Sequence, residues 1–321
     1  MKTSTMGRLA FAAALAAVAP ALACDVCAIY TATAQREGRT GLRLGVAEQY
    51  THFGTLQQDG EEVDNPADER VDSAITQLVA GYQLMPRFGV QANLPIIART
   101  YRRVEGERVV EGSENGVGDL VLSGTVLAYS LATEQSVLRL SLLGGIKLPT
   151  GDAHRLGEEA GDEPHMSHMH MMESGVHGHD LALGSGSVDG IVGGGLFWSW
   201  RRAFVTAAAQ YAIRSTGDFD YRFANDLTWV GGPGVYVLLD HRYTLGLQAV
   251  VSGETKGKDE QNGVRADDTA ITALYVGPGL SFTWGTSLGA DLSVDVPAVQ
   301  NNTALQIVPD VRVRGGVVWT F

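Results

Sequence analysis

The chain has 321 residues and a formal net charge of −12; 45% of its residues are hydrophobic, 40 are glycine, and its mean hydropathy is near zero. An acidic chain has no electrostatic basis for binding nucleic acid and attracts cations more naturally. Balanced hydropathy with abundant glycine suits strands with one apolar and one wet face better than apolar spanning helices.

Lys2 and Arg8 precede the apolar run Leu9 to Val18, and Ala21-Leu22-Ala23 supplies a small-residue cleavage pattern, so residues 1–23 read as a secretory signal peptide. Residues 24–39 then form an N-terminal segment with Cys24-Asp25-Val26-Cys27. No histidine follows Cys27, which excludes covalent haem attachment. In an oxidising compartment the first expectation is a local disulfide; a thiolate metal pair or redox contact with a periplasmic partner is second, and a lipid-modified Cys24 third. No later stretch approaches the roughly 20 apolar residues of a spanning helix, so a membrane protein of this sequence crosses as strands. A soluble periplasmic β-protein is the alternative.

Period-2 alternation marks twelve strands within residues 40–321, near 41–54, 70–85, 87–101, 117–131, 136–148, 186–200, 203–214, 226–239, 242–252, 270–284, 287–298 and 306–321. Connections alternate in length: Met85-Pro86-Arg87, Ala132 to Gln135, Arg201-Arg202, Asp240-His241 and Gly285-Thr286 are tight, whereas 55–69, 102–116, 149–185, 215–225, 253–269 and 299–305 are longer. Trp198, Trp200, Trp284 and Trp319 fall at the tight-turn ends and Trp229 at the opposite end, where interfacial belts place aromatics. The last strand ends on Phe321, two residues after Trp319, and resembles the C-terminal insertion signal of bacterial barrels. The expectation is an all-β protein: a single-chain, 12-stranded antiparallel β-barrel in the outer-membrane lipid of a Gram-negative bacterium, with short periplasmic turns and long extracellular loops.

Charged side chains on the faces opposite Leu138, Leu140, Leu292, Val294 and Val311 must point into the lumen: Arg139, Lys147, Arg214, Asp291, Asp295, Asp310, Arg312 and Arg314. Cross-strand pairing that braces the barrel is the first reading of these, a substrate track the second. Glu48 falls on the lipid face if the first strand is regular, and a bulge or shifted start would repair it.

Several short motifs resemble one family: Gly116-Val117-Gly118-Asp119-Leu120, the run Gly144 to Asp152 containing Lys147-Leu148-Pro149-Thr150-Gly151-Asp152, Leu183-Gly184-Ser185-Gly186-Ser187-Val188-Asp189, and Asn93-Leu94-Pro95. Together they are similar to the outer-membrane family named for the meta-pathway of phenol degradation. The resemblance spans roughly residues 40 to 321 and implies a transport-type barrel that passes small, often hydrophobic compounds. It carries over no catalytic residue. Pro149, Gly151 and Gly184 have a structural use of their own, ending or restarting strands where the backbone leaves the ladder.

The loop between these motifs departs from the family pattern. It holds His154, His165, His168, His170, His177 and His179, with Met166, Met169, Met171 and Met172. Mixed thioether and imidazole donors suit copper best, since sulfur favours Cu(I) and imidazole favours Cu(II), nickel or zinc. No zinc-finger spacing is present, so a flexible capture loop is expected rather than a rigid structural zinc site. A solvated His-rich insert without a metal is the bland alternative.

The sequence thus points to an outer-membrane channel or transporter with a transition-metal-binding outer loop. The alternatives are a channel for small hydrophobic compounds with an incidental loop, and a structural or adhesive barrel. A hydrolase using His179, Ser185, Ser187 and Asp189 is disfavoured because no G-x-S-x-G elbow is present.

Overall fold

The computed structural model describes residues 40–159 and 174–321. The expected signal segment, Cys24, Cys27, and His165, Met166, His168, Met169, His170, Met171 and Met172 lie outside the described residues. Twelve long strands form one antiparallel barrel: β1 (Gly41–Gln58), β2 (Arg70–Met85), β3 (Phe88–Glu105), β4 (Leu120–Ala132), β5 (Ser136–Leu148), β6 (Asp189–Trp200), β7 (Ala203–Ile213), β8 (Asp226–Leu239), β9 (Tyr243–Lys256), β10 (Ile271–Trp284), β11 (Leu288–Asn302) and β12 (Leu305–Thr320). The last strand closes on the first, from Arg43 opposite Thr320 to Gln58 opposite Leu305. Closure removes the sheet edges whose unpaired amides lipid cannot hydrate.

Alternation divides each strand between two environments. Leu42, Leu44 and Val46 on β1, Leu140, Leu142 and Ile146 on β5, and Leu292, Val294 and Val296 on β11 are exposed on the outer wall. Between them Gln49, Lys147 and Asp295 are buried inside. Trp198, Trp200, Trp284 and Trp319 stand exposed beside the short turns, and Trp229 lies near the other end of β8.

Three expectations need correction. Residues 102–116 are not an open loop: β3 runs on to Glu105 and returns as the strand Arg108–Val117, paired from Glu105 opposite Arg108 to Ile96 opposite Val117. Glu48 is not moved inward by a bulge; β1 is regular there, and Glu48 stays exposed, accepting a 2.6 Å hydrogen bond from Thr76 Oγ1. Asp310 does not join the lumen set. The pairing skips it, since His52 opposes Val311 and Phe53 opposes Pro309, and this bulge turns its carboxylate to the outer side, where it accepts from Thr55 Oγ1 at 2.6 Å and lies 3.8 Å from His52 Nε2.

The long connection from 149 to 188 does not stand clear of the barrel where it is described. Its described arms, 149–159 and 174–188, carry two single-turn helices, α1 (Leu156–Glu159) and α2 (Gly178–Leu181). Val176 and Leu181 pack on Leu56, Val71, Tyr101 and Ile307; Leu183 packs on Ile75 and Ile97; Leu156 and Ala153 pack on Tyr221. Val71, Ile75 and Ile97 are inward-facing wall residues, so the arms fold into the barrel's outer mouth. Each fully buried aliphatic side chain contributes roughly 1.5–3 kcal/mol to holding them there.

Candidate functional site

The motif residues converge in three dimensions. Lys147 Nζ, inward on β5, lies 2.6 Å from Asp119 Oδ2 and 2.8 Å from Asp189 Oδ2. Its third partner is Ser185 Oγ, which donates to Asp119 at 2.9 Å. Asp119 also accepts the backbone amides of Gly151 (3.0 Å) and Ser185 (3.1 Å). One lysine and one carboxylate therefore tie both arms of the loop to the wall. Gly184 is required at this junction, because a Cβ there would lie 2.5 Å from the Gly151 backbone. Gly186, at φ +66°, occupies the left-handed region that glycine adopts freely.

From Asp189 the network continues around the lumen. Arg214, just beyond β7, bridges Asp189 at 3.0 Å and Asp226 at 2.8 Å. Across the barrel, Arg312 reaches Glu254 at 3.2 Å and stacks 4.4 Å over the Tyr275 ring, while Tyr275 donates to Glu254 at 2.7 Å. Arg314 pairs with Asp295. Arg139 and Asp291 occupy inward registers of β5 and β11, alternating with exposed Leu140 and Leu292. Lys147, Arg214, Arg312 and Arg314 are tolerable as buried ions because each has a counter-charge.

Beneath the loop lies a cavity of about 190 Å³. Phe53, Ile75, Ile97, Leu183 and Ile307 line it together with Arg99, Lys147, Arg214, Asp226 and Arg312. His179 and Asp180 reach it from the loop.

Of the expected metal ligands, the structure brings together His177 and His179, which join Asp180 with donor atoms all within 4.8 Å of one another. Their rings stack at 5.3 Å. His154 is apart from this group, 3.0 Å from Asp152 and half exposed. Arg99 fixes the turn by donating to the carbonyls of Asp180 (2.9 Å) and Ala182 (2.8 Å). Burial opposes protonation of His179, but the charges of Asp180 and Glu159 outweigh it and hold its pKa at about 9. Burial likewise opposes ionisation of Glu159, yet its bond to His179 holds it at about 2; Asp180 is lowered for the same reason, against its own burial.

Sequence reasoning set Glu159 and Asp180 near these histidines only as carboxylates that raise the local cation concentration; it missed their direct contacts, Asp268 as a further neighbour, and Asp226 and Glu254 as partners of the lumen arginines. Asp119 and Asp189 were visible as the acidic ends of two motifs. Their meeting on Lys147 is a matter of barrel register.

No family model matches the sequence, and no curated protein matches it either. Among solved structures, an outer membrane channel from Pseudomonas putida superposes with a TM-score of 0.57 at 15% identity, covering 89% of this chain and 98% of that one. The translocator domain of the autotransporter NalP from Neisseria meningitidis gives 0.43 at 13% identity, over 91% and 92%. The β domain of the Bordetella autotransporter BrkA gives 0.42 at 9%, over 88% and 100%. With the closed ladder and apolar outer wall, the first likeness fixes the fold: the chain is a twelve-stranded β-barrel of the Gram-negative outer membrane.

Proposed function

We propose that this barrel is a channel for small amphipathic molecules, held narrow by its own inwardly folded outer loop. The observation that carries this reading is the cavity under the loop, lined by both apolar and charged side chains. A 150 Å³ apolar cavity accommodates a benzene ring. A cavity of about 190 Å³ with guanidinium and carboxylate groups among its apolar lining therefore suits a small aromatic or aliphatic compound with one polar end. The motif resemblance to the meta-pathway family supports the same class. Lys147 argues against hydrolysis: the basic group beside Ser185 is taken up by salt bridges to Asp119 and Asp189.

Flux into proteoliposomes tests this. Benzoate should enter faster than a sugar of similar size, and Leu183→Asp should reduce benzoate entry selectively. Equal rates for both solutes in both proteins would overturn the assignment.

Metal capture is the second reading, favoured by the position of His177 and His179, which the loop carries to the lumen's edge. In this reading His165, Met166, His168, Met169, His170, Met171 and Met172 collect copper from the medium, zinc or nickel binding less well. Cys24 and Cys27 would then pass metal or electrons to a periplasmic partner. A Cys24→Ser, Cys27→Ser variant that handled copper identically in cells would remove that partner role.

A further inference from the structure

We propose that His177, His179 and Asp180 form a discrete three-ligand site for a divalent first-row transition metal at the mouth of the lumen, separate from the His165–Met172 run. The inference rests on the metal reading only in sharing its ligand class; it stands or falls on residues of the described arm.

Four observations carry it. First, His177 Nδ1 and His179 Nε2 are buried and have no hydrogen-bond partner. Buried polar atoms are almost always satisfied, and Asp180 answers these two only at ion-pair distance, which leaves room for an ion between the nitrogens and the carboxylate. Second, both orphans face one carboxylate: Asp180 Oδ2 is 3.8 Å from His177 Nδ1, and Asp180 Oδ1 is 3.5 Å from His179 Nε2. Ligands about 2.0–2.2 Å from a tetrahedral ion stand roughly 3.3–3.6 Å apart, so the donors are close to ligating separation.

Third, the other nitrogen of each ring is already held by a carboxylate from a different segment. His179 Nδ1 lies 3.0 Å from Glu159 on α1, and His177 Nε2 lies 3.4 Å from Asp268 on the 257–270 connection. This is the carboxylate–histidine arrangement that orients metal ligands and raises their basicity. Fourth, the site is sheltered, with side-chain exposures of 17% for His177 and 2% for His179.

Two imidazoles and one carboxylate form a nitrogen and oxygen donor set for Zn²⁺, Cu²⁺ or Co²⁺, without the thioether that Cu(I) prefers. Three protein ligands leave a position open, which makes the ion exchangeable rather than structural. Binding would turn the stacked rings toward Asp180 and release any proton held on the ligating nitrogens. Because Glu159 and Asp268 belong to separate segments, the bound ion would stitch both loop arms and the neighbouring connection together over the lumen.

The test uses the full chain, refolded in detergent and stripped with chelator, titrated with Co²⁺ for its visible absorption and with Zn²⁺ by calorimetry. A variant with His165, Met166, His168, Met169, His170, Met171 and Met172 all replaced by serine should retain one equivalent of either ion with a tetrahedral cobalt spectrum. Adding His179→Ala, or His177→Ala, should abolish the spectrum and weaken Zn²⁺ by more than about 100-fold, beyond the 10–100-fold of an outer-shell change. Asp180→Asn, which keeps the shape and an acceptor for the turn, covers the case in which a histidine variant misfolds, and should also lose the spectrum. Loss of all binding in the serine variant would overturn the site while leaving metal capture by the His165–Met172 run intact. Retention of the spectrum after His177, His179 or Asp180 is changed would overturn it as well.

Discussion

Lys147 is the residue that joins the loop arms to the wall. It neutralises Asp119 and Asp189 together, and these in turn hold Gly151, Ser185, Ser215 and Arg214. Replacing it by methionine leaves two buried carboxylates without their shared cation, and removing one partner of such a pair costs about 3–5 kcal/mol. Urea unfolding of Lys147→Met in lipid vesicles should show a loss of that size; a change below about 1 kcal/mol would mean that the network relaxes around the missing charge. Glu48 is the opposite case. Its carboxylate lies on the outer wall and accepts a hydrogen bond from Thr76, so Glu48→Leu should leave the barrel at least as stable in the same measurement.

At the level of elements, the ladder and the loop differ in how far they could be read from sequence. The twelve strands were legible because a wall between lipid and water imposes strict alternation, as in Leu42, Leu44 and Val46 of β1. Where a strand leaves the membrane that constraint ends. Arg102, Glu105 and Glu111 face water while Arg103 and Glu114 pair with Glu158 and Arg155 of the loop arm, so neither face carries the apolar alternation of a lipid-facing strand and the hairpin looked like a loop. Asp310 was misplaced because one extra residue in β12 reverses the side its neighbours imply.

The loop's site was legible in composition and not in arrangement. Histidines mark a ligand-rich segment, but Asp268 lies some ninety positions from His177 and reaches it only through closure of the barrel. The loop's seating depends on the Gly151–Gly184 contact. Gly184→Ala forces a Cβ into the Gly151 backbone, and overpacking of this kind costs typically 1–3 kcal/mol. Limited proteolysis should cut the loop faster in Gly184→Ala, with the barrel itself unaffected; equal cutting rates would show that the junction yields without loosening the arms.

For the whole molecule, a closed twelve-stranded wall with a folded-in loop makes passage a property of two parts. The wall supplies a lumen braced by Arg312–Glu254 and Arg314–Asp295, and in the proposed reading the loop sets its width. The most direct test is conductance in planar bilayers for the full chain and for a variant in which residues 153–182 are replaced by a short glycine-serine linker. A channel narrowed by its loop predicts small conductance for the full chain and a several-fold rise when the loop is removed. Equal conductance in the two proteins would contradict it, leaving the inner network, not the loop, as what limits the pore.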